Sequence, residues 1–101
     1  MSDDGELRPR EGARFLLERE RDDGARAEYR AVIFPPDATY RGRATHDDGG
    51  GVALAAAGAP AELADMLQMI AKLTARAAAR RRDDGLPAWP ARVLRWRGPG
   101  R

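Results

Sequence analysis

Arg14-Phe15-Leu16-Leu17-Glu18-Arg19-Glu20-Arg21, then Asp22-Asp23-Gly24, then Ala25-Arg26-Ala27-Glu28-Tyr29-Arg30-Ala31-Val32-Ile33-Phe34, decides the fold. The flanks are rich in aromatic and branched residues and alternate in part, which marks strands rather than helix. Asp bonds its own backbone in turns and Gly adopts positive φ without steric cost, so the central triplet reverses the chain. With Asp23-Gly24 as a two-residue turn, Leu17 faces Arg30 and Phe15 faces Val32 on one side. Leu16 faces Ala31 and Glu18 faces Tyr29 on the other. The hairpin is charged at its tip and apolar on both faces at its base, so one face awaits a helix and the other a partner or the C-terminal segment.

Working outward, Pro35-Pro36 ends the second strand, because proline supplies no donor to a ladder. Thr39 to His46 reads as a third strand with Tyr40, Ala44 and His46 on one face. After the Asp47 to Gly51 turn, Val52 to Ala57 returns as a fourth. Pro60 then suits a helix start, and Leu63, Met66, Leu67, Ile70, Leu73, Thr74 and Ala77 recur at spacings of three and four, the mark of one buried face. The helix is expected to run to Asp83-Asp84-Gly85, roughly 34 Å at 1.5 Å per residue, longer than four short strands can cover. Its Ala-rich second half must project, meet a second copy, or be covered by residues 86 to 97. In that segment Val93, Leu94 and Trp96 suit a short edge strand or an ordered arm. The expected fold is therefore α+β: a four-stranded antiparallel meander followed by one long helix, with a C-terminal arm or edge strand. Residues 1–11 read as a disordered tail, 12–97 as a single domain and 98–101 as a frayed tail.

Asp-Asp-Gly occurs four times, beginning at Asp3, Asp22, Asp47 and Asp83, at spacings that share no period. The copies therefore mark turns and a helix end, not a repeated ligand set. Eight of the ten aspartates belong to them. The chain has no cysteine, one histidine, and a single serine at Ser2, so catalytic triads and cysteine dyads cannot be assembled within it. No copy alternates oxygen ligands as a calcium loop does, and Gly49-Gly50-Gly51 lacks the Lys-Ser or Lys-Thr of a phosphate loop. A non-enzymatic protein without cofactor or bound metal is expected. His46, beside a turn, is expected to be exposed. No apolar run is long enough to cross a bilayer and the acidic start lacks signal-peptide features, so the sequence points to a cytoplasmic protein without membrane contact.

Charge is the remaining functional signal. Of 18 basic residues 17 are arginine, and residues 75 to 101 carry eight Arg against two Asp, while the remainder of the chain is slightly acidic. Arg76, Arg80, Arg81 and Arg82 complement the negative end of the helix dipole, which alone accounts for them. Arg92, Arg95 and Arg97 interleaved with Trp96 also suit backbone neutralisation with base stacking, although a tryptophan there more commonly anchors the segment on the core. These eight residues are the candidate surface for nucleic acid or an acidic partner.

Four antiparallel strands followed by one helix resembles, in element order, the Whirly-type, PC4-type and PUR-type modules. That resemblance implies single-stranded nucleic-acid binding, often by dimers. Against it, the sheet region from Gly12 to Gly58 is net acidic by one, and a sheet that tracks phosphates should be basic. The leading expectation is a self-associating interaction or assembly domain, a homodimer in its simplest form. A single-stranded nucleic-acid module is the alternative.

Overall fold

The computed structural model describes residues 9–47, 49–56 and 58–98. Five strands, β1 (Ala13–Asp22), β2 (Arg26–Phe34), β3 (Tyr40–Asp47), β4 (Val52–Ala56) and β5 (Arg92–Arg97), form one antiparallel sheet in the order β4-β3-β2-β1-β5. Between β4 and β5 the chain forms α1 (Ala61–Arg76) and α2 (Ala78–Asp83). The α+β architecture matches expectation, and the C-terminal segment is the edge strand on β1. Ala57, at the expected end of the fourth strand, lies outside the described residues. So does most of both expected tails, although the Glu11 carbonyl is held by the Trp96 indole N–H at 3.2 Å.

The first hairpin departs from its expected register. Asp23 N–H donates to the Arg26 carbonyl at 3.0 Å, so Gly24-Ala25 is the turn centre, and a bulge between Arg19 and Arg21 moves the pairing again. Leu17 therefore lies opposite Ala31, Phe15 opposite Ile33, Leu16 opposite Val32 and Glu18 opposite Arg30. Because side chains alternate with period two, that shift pairs Arg30 with Glu18 as an ion pair instead of setting it against Leu17. The Asp23 carboxylate accepts from the Ala25 and Arg26 N–H groups, and Asp47 Oδ1 accepts from Gly49 and Gly51 in the second turn. Both aspartates act as turn residues.

Phe15, Leu17, Tyr29, Ala31, Ile33 and Ala44 line the sheet face that packs on Leu67, Ile70, Ala71 and Ala75 of α1. On the other face Leu16, Val32 and Phe34 form a second buried cluster with Leu94 beside them. Gly42 brings β3 and β4 close together: a Cβ there would collide with the Ala55 carbonyl.

The long helix is bent rather than continuous. Thr74 Oγ donates to the Ile70 carbonyl at 3.0 Å, a bond that competes with the helical ladder and bends it, and the break follows at Ala77. The helix ends as its Asp-Asp-Gly predicts. Gly85 has φ +77°, its N–H donates to the Arg82 carbonyl, and Leu86 N–H donates to the Arg81 carbonyl at 2.8 Å. That pair of bonds is a Schellman stop, which favours glycine at this position.

Candidate functional site

The segment after the stop determines what the C-terminal arginines can do. Trp89 enters the core, and its indole N–H donates to the Gly24 carbonyl at 3.1 Å. Arg82 donates to the same carbonyl and sets its guanidinium over the Trp89 ring. Tyr29 Oη donates to the Pro90 carbonyl at 2.7 Å, and burial pushes its pKa up to about 12 against the opposing pull of Arg19. Arg19 itself donates to the Trp89 carbonyl at 2.7 Å, and Arg81 Nε to the Pro87 carbonyl at 2.7 Å. Residues 86 to 91 are thereby strapped to the first hairpin. They cover the inner side of α2, where Ala78 is buried.

His46 is buried under this strap, contrary to the expectation of exposure. Its ring lies 4.6 Å from that of Tyr29 and 6.0 Å from that of Trp89, and it is 0% exposed. Burial lowers its pKa to about 4, with the Ala71 backbone pulling weakly the other way. Neither ring nitrogen has a partner with good hydrogen-bond geometry. The Tyr40, Ala44, His46 face was visible in the sequence, but Trp89 is what closes over it.

Delivered by the strap, β5 pairs with β1 so that Ala13 meets Arg97, Phe15 meets Arg95 and Leu17 meets Val93. Arg19 N–H donates to the Ala91 carbonyl, so 91, 93, 95 and 97 spend their backbone groups on β1. Those of Arg92, Leu94 and Trp96 point to the outer edge. Among the described residues no strand pairs with that edge. Beside it lies a groove of about 320 Å³ between β5 and the helices, with Ile70, Leu73, Ala77 and Val93 as apolar floor. Arg81, Arg92, Arg95 and Arg97 border it, and none of its lining residues is acidic. Leu73 is 52% exposed, although its helical spacing placed it on the buried stripe. The strap stops short of it.

Four of the eight candidate residues therefore converge. Arg95 Nη1 donates to the Leu94 carbonyl at 2.8 Å and Arg97 Nη1 to the Trp96 carbonyl at 3.1 Å. Arg92 Nε faces Glu18 at 3.9 Å. The other four do not join them. Arg82 is part of the scaffold, Arg80 pairs with Asp84 at 3.9 Å, and Arg76 borders a separate shallow depression with Met69 and Lys72. Trp96 shares the Leu94 face of the sheet, across from Arg95 and Arg97, so the interleaved arginines and aromatic do not form one surface. Sequence reasoning missed Leu73 and Val93 as site residues. The signal for Leu73 was a helix too long for its sheet.

Among the described residues no three His, Cys, Asp or Glu side chains are gathered as a metal site. Among the same described residues no helix is long and apolar enough to cross a membrane. Compared with known protein families, curated proteins and solved structures, the chain matches none.

Proposed function

We propose that this chain is a small, non-enzymatic protein-interaction domain that takes its partner at the β5 edge and the groove beside it. One observation carries the reading: an unpaired sheet edge lies next to the half-exposed Leu73 and two arginines without carboxylate partners among the described residues. An open edge is a template for another strand, and an adjacent apolar floor gives that strand side-chain contacts. Arginine and aliphatic side chains offer no general base or nucleophile at neutral pH, which supports binding over catalysis.

Self-association is the simplest form of such binding, but charge opposes it here. Two β5 edges related by a two-fold would set Arg92, Arg95 and Arg97 of one copy beside those of the other with no acid on either strand, and like charges on adjacent strands destabilise pairing. The reading therefore favours a different polypeptide over a second copy. Display of random peptides against the protein tests it. Enriched peptides should shift the amide resonances of Arg92 to Arg97 and lose binding to Leu73→Asp. Enrichment of nothing, or shifts confined to other elements, would refute it.

A further inference from the structure

Resting on that interaction reading, we infer that the partner is an extended acidic segment that adds a strand to β5, and that Arg95 and Arg97 act as a latch selecting for it. The outward carbonyls of β5 belong to Arg92, Leu94 and Trp96, and an added strand must donate to them. Two are already occupied, Leu94 by the Arg95 guanidinium and Trp96 by that of Arg97. A neutral strand offers those guanidiniums only acceptors no stronger than the carbonyls they already hold, and a basic strand repels them, so either meets a covered edge. A strand bearing carboxylates draws each arginine off its carbonyl into a charge-assisted pair, and the same movement frees the carbonyl for the incoming N–H. Each arginine thus guards the edge and, when paired, opens it.

The alternation of β5 sets the pattern to be read. Val93, Arg95 and Arg97 share the groove face, so the added strand should place one apolar residue over Val93 and Leu73 and two carboxylates over the arginines, at alternate positions. Nucleic acid fits less well. The groove has phosphate-binding cations but no aromatic side chain on which a base could stack, since Trp96 lies on the other face.

The test uses the intact chain and defined probes, followed by amide NMR and fluorescence anisotropy. One peptide carries leucine and two glutamates at alternate positions separated by threonine; its twin has glutamine for glutamate; a short oligothymidylate is the third probe. The acidic peptide should bind with the largest shifts at the Arg92, Leu94 and Trp96 amides. Binding should fall at least about tenfold for the glutamine twin and for Arg95→Gln/Arg97→Gln. Because both arginines are surface groups, the double variant should keep its fold, checked by an unchanged Tm and unchanged shifts away from β5. Equal affinity for the two peptides would overturn the acidic selection while leaving the interaction reading standing. A dimer closing over β5 would likewise overturn the acidic partner alone, while oligothymidylate shifting the same amides with no response to peptide, or no binding by any probe, would overturn both.

Discussion

Protonating His46 should weaken the fold by an amount that its surroundings allow to be worked out. An unfolded imidazole titrates at 6.5, and burial against Tyr29 and Trp89 lowers the folded value to about 4. The folded state therefore binds its proton later than the unfolded state does. Stability from this group is complete above about pH 6.5, falls as the pH drops, and levels off below about pH 4, where both states are protonated. A gap of about 2.5 units at about 1.4 kcal/mol each makes the fold roughly 3 kcal/mol weaker at the acid end. Acidic side chains also titrate in this range, so urea unfolding should be measured across it for the natural chain and for His46→Phe. Phenylalanine keeps the ring contacts and cannot titrate. Near neutral pH the two should lie within about 1 kcal/mol, because the replacement also removes two nitrogens buried without partners. As the pH falls, the natural chain should lose stability relative to the variant by the full difference. The chain has one histidine, so its imidazole signals can be followed directly by NMR in the folded state. Parallel stability curves for the two proteins, or a folded titration near 6.5, would show that His46 carries no such penalty.

Trp89→Ala should cost about 3–5 kcal/mol and leave the Ala91 to Arg97 amides exchanging freely, since the indole pins the strap to Gly24; chemical denaturation with hydrogen exchange checks both. Gly42→Ala should destabilise by about 1–3 kcal/mol in the same assay, because the new methyl meets the Ala55 backbone rather than a yielding side chain. Gly85→Ala should cost about 1 kcal/mol through its positive φ, without altering groove binding. Leu73→Asp should leave Tm nearly unchanged while abolishing peptide binding, a separation that a core role for Leu73 would not allow.

The strands and the helix were legible because their signals are local: alternation around Asp22-Asp23-Gly24, proline at 35 and 36, and a three-four repeat from Leu63 onward. What escaped depends on contacts between distant segments. The turn centre at Gly24-Ala25 and the bulge near Glu20 together set the register of the first hairpin, and Glu20 carries no residue-type signal for a bulge. Thr74 reads as one more member of the apolar stripe, yet its hydroxyl bonds the preceding turn, three residues before the helix breaks at Ala77. His46 is buried only because Trp89 returns to cover it. The groove arginines were named from charge and from interleaving with Trp96, but the alternation of β5 puts Arg95 and Arg97 on the face opposite Trp96, and Arg76 and Arg80 lie outside the groove lining.

The position of β5 beside β1 has a consequence for how the protein is made. Every other strand pairs with a neighbour in chain order, whereas Trp96 and Glu11 meet across 85 positions. As the chain leaves the ribosome, β1 to β4 and the helix can assemble while β1 still presents a bare edge. Only when Arg92 to Arg97 have emerged is that edge covered. Closure of so long a loop is slow compared with hairpin formation. Released chains truncated before Arg92 should therefore be the aggregation-prone species, with β1 as the strand by which they join.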